Sequence, residues 1–304
     1  MDIFAGSAQY ESIGAPVVTI GNFDGVHKGH QVLLKRVQEE AKKRNAPSCV
    51  FTFEPSPRSL LSPNRVPRIA RWTQKIKLLR EIGIDQVVLE RFSLPFAQHP
   101  ASWFVSEIIQ KRLHVQALVV GYDFRFGRAR AGTVEMLSSI APTVDVLQLD
   151  ALSEQDLIVS SSEIRKKVSE GDVALANTLL GRPYSLEGVV VSGEKRGRKL
   201  GFPTANIQTD YELIPDSGVY AVRARIDYRQ WIDGIANLGY NPTFQGQKFK
   251  IEVHLFDFST DIYGCDIEVQ FINRIRSERL FSTPEELIQQ LSLDVQQAKS
   301  LLAL

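Results

Sequence analysis

Val17-Val18-Thr19-Ile20-Gly21-Asn22-Phe23-Asp24-Gly25-Val26-His27-Lys28-Gly29-His30 is the stretch that decides the fold of the first half. A short β-branched run reads as a strand, a glycine-bearing loop follows, and a helical pattern opens near Gln31 and runs to Arg44. Working outward, Cys49–Phe53 reads as the next strand and ends in the breaker cluster Glu54-Pro55-Ser56-Pro57. Thr73–Ile82 reads as a helix closed by Gly83, Asp85–Leu89 as strand, Ala101–Leu113 as helix and Ala117–Gly121 as strand. Val134–Ile140 and Val144–Leu149 repeat the alternation. Strand–helix–strand units at this spacing predict a doubly wound α/β domain, a parallel sheet with helices on both faces. Ligands of such sheets sit beyond the carboxyl ends of the strands, so Gly21–His30 and Gly121–Gly132 are the candidate ligand loops.

From about Tyr184 the texture changes. Val189–Val191, Val219–Ile226, Trp231–Leu238, Ile251–Phe256 and Ile267–Ile275 are strand-like and separated by turns such as Pro215-Asp216-Ser217-Gly218 and Asn241-Pro242. Such a pattern predicts a small barrel or sandwich. A helix closes the chain, with Thr283 as N-cap, Pro284 in the first turn and Glu286 completing a capping box. Two domains are expected, residues 1–183 and 184–304.

Bulk properties narrow the classes. The 304 residues are 43% hydrophobic and 23% charged, the balance of a globular protein rather than a disordered tail or a rod. The net charge of +1 gives no reason to invoke nucleic acid or an anionic membrane. Residues 1–183 carry +4 and residues 184–304 carry −3, an asymmetry too mild to argue for a nucleic-acid partner. No stretch reaches the roughly 18 apolar residues of a membrane span, and the first residues lack signal-peptide character. Cys49 and Cys265 are too few for a disulfide framework or a four-ligand zinc site; both read as small buried hydrophobes of a cytoplasmic protein. The sequence leaves the oligomeric state open.

In the first loop, Gly21, Gly25 and Gly29 permit sharp turns and close backbone approach. A helix N-terminus offers unpaired N–H groups to phosphate. His27 and His30 are three apart and can share one side of the first helical turn, where two imidazoles would suit a polyphosphate. A metal site and a purely structural turn are the rival readings. Against the metal stand the missing zincin glutamate and a supply of only three further histidines, His99, His114 and His254. A Walker A loop is ruled out by the absence of Lys-Ser/Thr after the last glycine.

His27-Lys28-Gly29-His30 behind a Gly-Asn-Phe-Asp-Gly turn resembles the H-x-G-H signature of the nucleotidylyltransferase superfamily. The superfamily's second signature, a hydroxyl-rich turn opening a helix that carries arginine, is matched by Val159-Ser160-Ser161-Ser162-Glu163-Ile164-Arg165, with Ser162 where threonine is usual. Glu163 has no counterpart role. Gly121-Tyr122-Asp123-Phe124-Arg125-Phe126-Gly127 resembles a stretch of the bacterial FMN adenylyltransferases. The resemblance implies ATP contacts at Gly21, Phe23, Asp24, Gly29, Ser161 and Ser162. It implies catalytic roles for His27, His30 and Arg165, and flavin contacts at Asp123 and Arg125.

In the second half Gly193, Gly197 and Gly201 sit among basic residues and lead into Phe202-Pro203-Thr204-Ala205-Asn206. Backbone amides of such a loop can wrap a polyphosphate, and Thr204 and Asn206 offer oxygen ligands for a hard cation such as Mg²⁺. Strand alternation sets Ile251, Val253 and Leu255 on one face and Glu252 and His254 on the other. The glycine loop running into Pro-Thr-Ala-Asn resembles riboflavin kinase, and the likeness continues through Pro215–Tyr220, Asn237–Phe244 and Glu252–Gly264. It implies Glu252 as general base, ahead of His254, and an antiparallel barrel. Together the halves resemble the bacterial bifunctional riboflavin kinase/FAD synthetase family. That family's substrates would be riboflavin, FMN and ATP, with Mg²⁺. A chain with one silent domain, or a flavin-binding regulator without turnover, are the alternatives.

Overall fold

A computed structural model of the chain describes residues 1–11, 14–64, 66–193, 197, 201–243 and 246–303; for 240–243 and 246–248 it describes the backbone alone. The chain divides into two compact units, Met1–Ser161 and Ser162–Leu304.

In the first unit, strands β1 (Asp2–Phe4), β2 (Val17–Ile20), β3 (Ser48–Glu54), β4 (Gln86–Arg91), β5 (Ala117–Gly121) and β6 (Asp145–Leu149) form one sheet. Its order is β1-β4-β3-β2-β5-β6, and every neighbouring pair is parallel. Successive residues of each central strand enter opposite cores. Val17, Val50, Val87 and Ala117 pack with Leu34 and Val37 of the helix Lys28–Lys43 and with Leu79 of the helix Trp72–Ile82. Val18, Cys49, Val88 and Leu118 pack on the other face with Phe104, Val105, Ile108, Ile109 and Leu137. A sheet buried on both faces requires apolar residues without alternation, which is the pattern of Val17-Val18 and Val119-Val120.

The expected helix over 101–113 is α-helical only for Ala101–Trp103 and continues as a π-helix, Phe104–Arg112. Leu113 N donates to Ile108 O at 3.0 Å, the wider i→i+5 closure. The buried pairs Phe104/Val105 and Ile108/Ile109, with Leu113, keep that wider turn facing the core. The helix Lys28–Lys43 starts earlier than its apolar periodicity indicates, because His27 caps it with a side-chain nitrogen. The short strand β1 and the hairpin β7 (Ser153–Glu154)–β8 (Leu157–Ile158) carry too few apolar residues to be read from sequence. Burial pushes the Cys49 thiol up to about 12, whereas Cys265 is half-buried, a correction to its expected place in a core.

In the second unit, β9 (Tyr184–Val191), β10 (Ala205–Gln208), β11 (Gly218–Ile226), β12 (Ile232–Thr243), β13 (Gly246–Leu255) and β14 (Asp266–Arg276) close a barrel in the order β10-β13-β12-β11-β14-β9. Every pairing is antiparallel. A barrel rather than a sandwich forms because β9 pairs on both edges and leaves no open strand. Tyr184, Leu186, Tyr220, Val222, Ala236, Val253, Val269 and Phe271 are buried. The helix Pro284–Leu302 covers part of the outer face, packing Ala298 and Leu302 on Val219, Ala221 and Ile235. The helix Val173–Leu180 is stitched to the same barrel: Asn177 donates to Phe271 O at 2.8 Å and accepts from Tyr184 N at 2.6 Å. The division by contacts therefore falls ahead of the 183/184 joint suggested by the change of texture.

Candidate active sites

Parallel strands leave a crevice where the chain changes direction across the sheet. Here β3 and β4 lie to one side of β2, and β5 and β6 to the other. The loops leaving β2 and β5 both open at that point, and they are the two loops singled out above.

The loop after β2 is held from several sides. The buried Asp24 carboxylate accepts from the backbone N–H of Ile69 (3.1 Å) and Ala70 (3.3 Å), and Ser161 Oγ donates to the Asp24 carbonyl at 3.0 Å. Gln31 Nε2 donates to Val26 O at 2.9 Å, and Lys75 Nζ to Asn22 O at 2.7 Å. Phe23 and Val26 take positive φ of 49° and 43° and are buried. Gly25 also has positive φ, and a Cβ there would stand 2.8 Å from Ile69 Cγ2. At the helix start the His27 and His30 rings stack, centroids 3.5 Å apart and 17° from parallel. His27 Nδ1 accepts from His30 N at 3.3 Å, so a neutral His27 carries its proton on Nε2. A Cβ on Gly29 would come within 3.3 Å of His27 Nδ1, so the glycine lets the ring lie against the backbone. Lys28 pairs with Glu154 of the β7–β8 hairpin at 2.6 Å. Among the described residues no three His, Cys, Asp or Glu side chains cluster as for a metal ion.

Asp24 and Phe23, singled out for ATP, thus turn their side chains into the protein. Gly21 precedes them, with Phe23's ring 3.1 Å from where its Cβ would be. Ser161 begins the helix Ser161–Ser169, along which Ser162 is exposed and Arg165 half-buried. In the loop after β5, Asp123 and Arg125 are exposed while Phe124 and Phe126 stack at 5.5 Å. Arg128 N ties this loop to His99 O at 2.9 Å.

The second site lies on the barrel. Within Pro-Thr-Ala-Asn, Ala205 and Asn206 begin β10. Asn206 pairs with Glu252 across β10–β13, and Asn237 pairs with Glu252 across β12–β13. Directly opposed residues of antiparallel strands share a face, so Glu252 stands between two carboxamides on the outer surface. Burial confirms the alternation: Ile251, Val253 and Leu255 are buried, Glu252 and His254 half-buried. His254 Nδ1 lies 2.8 Å from the Pro203 carbonyl, to which it must donate, and so holds the residue next to Thr204. The glycines pack close to these residues. A Cβ on Gly193 would overlap the Asn206 carboxamide, and one on Gly197 would overlap the Phe202 carbonyl and lie 3.4 Å from Thr204 Oγ1. Gly201 has positive φ and open space around it. Residues 194–196 and 198–200 of this loop, and Phe244, lie outside the described residues. A hydroxyl and an amide oxygen packed against glycine backbone are the donor types that a hard cation takes.

Sequence reasoning missed Asn22, Lys75 and Asn237. The first two meet through a carbonyl and a buried ammonium, a contact that no motif records. Asn237 lies in a stretch that resembles riboflavin kinase, but its place opposite Glu252 comes from the register of β12.

The fold and the sites define a two-part phosphate-transfer enzyme, with a nucleotidylyltransferase-type sheet and a kinase-type barrel. Residues 10–163 match the family model for FAD synthetase, and residues 180–302 match that for riboflavin kinase. The bifunctional riboflavin kinase/FMN adenylyltransferase of Escherichia coli K12 is 40% identical over 91% of this chain and 90% of its own. That of Bacillus subtilis is 37% identical over 93% and 91%. A crystal structure described as a macrolide-efflux protein from Streptococcus pneumoniae superposes with a TM-score of 0.90 at 32% identity, over 98% of both chains. The chain belongs to the bifunctional riboflavin kinase/FMN adenylyltransferase family. It is an enzyme of flavin cofactor synthesis, phosphorylating riboflavin to FMN and adenylylating FMN to FAD with ATP as substrate. Among the described residues no helix is long and apolar enough to cross a membrane.

Proposed function

We propose that the two reactions run at the two sites described, adenylyl transfer in residues 1–183 and riboflavin phosphorylation in residues 184–304. In the kinase, Glu252 accepts the proton of the riboflavin 5′-hydroxyl as that oxygen takes the γ-phosphoryl group of ATP and ADP leaves. Gly193, Gly197 and Gly201 bring backbone amides to the phosphates. Thr204 and Asn206 would hold Mg²⁺, which neutralises charge on the phosphate oxygens it binds. The observation that carries this reading is the register that sets Glu252 between Asn206 and Asn237.

In adenylyl transfer an FMN phosphate oxygen attacks the α-phosphorus of ATP and pyrophosphate leaves. The nucleophile is already ionised, so no strong base is required. His27 and His30 stabilise charge on the triphosphate beside a helix N-terminus, and Gly21, Phe23, Asp24 and Gly29 contribute backbone. Ser161, Ser162 and Arg165 are assigned to the same phosphates, and Asp123 and Arg125 to the flavin, on the strength of their motifs. The free thiols Cys49 and Cys265 support a cytoplasmic location, and small molecules are the expected partners.

Purified protein given riboflavin, ATP and Mg²⁺ is expected to form FMN first and FAD after it, resolved by chromatography over time. Glu252→Ala should lower kinase kcat by about 10²–10⁴-fold, the range of a general base. Near-normal FMN formation by that variant would remove Glu252 from the role.

A further inference from the structure

We propose that Lys75 is a positioning residue for adenylyl transfer, its buried ammonium group holding the loop between β2 and the helix Lys28–Lys43 through the carbonyl of Asn22. The inference rests on the assignment of that loop to the adenylyl-transfer site.

Lys75 is 5% exposed, on a helix whose neighbouring core residues are Ile76 and Leu79. A buried ammonium costs several kcal/mol unless it is well paired, so an apolar side chain would serve the helix better if packing were its only task. Instead Nζ reaches 2.7 Å from Asn22 O, a carbonyl that also receives Thr52 Oγ1 at 3.4 Å. The charged groups around it are Asp24, Glu54 and Arg68, and the Trp72 ring lies 5.6 Å away. Burial pushes the ammonium below the usual lysine range, and the two carboxylates pull it back.

The held loop is one that needs holding. Phe23 and Val26 sit at positive φ, and Val26 is β-branched, a combination that persists only where surroundings over-determine it. Asp24 is clamped by the Ile69 and Ala70 amides, Val26 by Gln31, and Asn22 by Lys75. Of the three clamped residues Asn22 lies nearest β2, two positions past Ile20, so its carbonyl is held where the loop leaves the sheet. Lys75 also puts a cation behind backbone proposed to face a triphosphate.

The test is steady-state FAD formation from supplied FMN and ATP, together with hydrogen exchange of the folded chain. Lys75→Met is expected to lower kcat about 10–100-fold, the size of an ångström-scale misplacement. The KM for FMN should stay within about threefold, and exchange should quicken only in peptides covering residues 21–30. Lys75→Gln keeps a buried donor and guards against a Met variant that does not fold; about 5–50-fold with the same local exchange is expected. A folded variant with normal kcat overturns the proposal. So does faster exchange across the whole sheet, or failure of both variants to fold, since Lys75 would then serve the fold alone. Combined His27→Ala and His30→Ala tests the underlying assignment separately. If that variant still makes FAD, the site reading falls. If it is inactive while Lys75→Met is normal, only the inference about Lys75 falls.

Discussion

Gly193 does not owe its place to left-handed backbone, unlike Gly25 and Gly201. It is required because the Asn206 side chain occupies the volume a Cβ would fill. Gly193→Ala must therefore displace either the loop or the proposed metal ligand. FMN formation is expected to fall by about tenfold or more, while adenylylation of supplied FMN is unchanged; both rates follow from the same chromatographic assay. At this scale a motif picks out a residue by what it is. His27, His30 and Thr204 stood out by residue type and spacing, whereas the role expected of Glu252 came from the resemblance to riboflavin kinase. A motif does not say which way a side chain turns, and Phe23 and Asp24 turn inward; it also passes over Lys75, because a buried lysine looks like any helix lysine in a string of letters.

Elements followed the sequence where one local force dominates. The helix Pro284–Leu302 begins as read, with Thr283 Oγ1 accepting from Glu286 N at 3.2 Å, although the Glu286 carboxylate returns to Ser282 N rather than to the cap residue. The helix Trp72–Ile82 stops at Gly83, which takes φ of 90°. The π-helix Phe104–Arg112 and the entry of Ala205–Asn206 into β10 were not legible, since tertiary packing and strand pairing decide them. How the closing helix docks was also hidden. Asp294, 1% exposed, pairs with Arg276 at the end of β14 at 2.8 Å and also receives Gln290 Nε2 at 2.8 Å. Asp294→Asn leaves the guanidinium without its counter-charge in a mostly buried place. A loss of about 3 kcal/mol is expected in denaturant unfolding followed by a probe on the barrel. Adenylylation of supplied FMN should be unaffected at 25 °C.

For the whole molecule, two units with their own cores carry two proposed sites, and the expected consequence is separable loss. Changing His27 and His30 to alanine together should abolish FAD formation and leave FMN formation intact. Loss of both activities would point to misfolding or to obligate coupling of the two reactions. The domain number and both fold classes were readable because the period of the apolar pattern changes near Tyr184. The place of the joint was less so. Residues 162–180 are helical, like the first half, yet the Asn177 side chain binds part of that stretch to the barrel.

The sequence by itself determined the parallel sheet, the second β unit and the positions of the two glycine-bearing loops. These depend on local propensity, apolar period and glycine placement, all of which are written along the chain. Only the tertiary structure decided the strand register of the barrel, by which Glu252 stands between Asn206 and Asn237, and the contact of Lys75 with the Asn22 carbonyl. Each depends on strand register or on contacts between residues far apart in the chain, which are fixed when cores pack and strands pair.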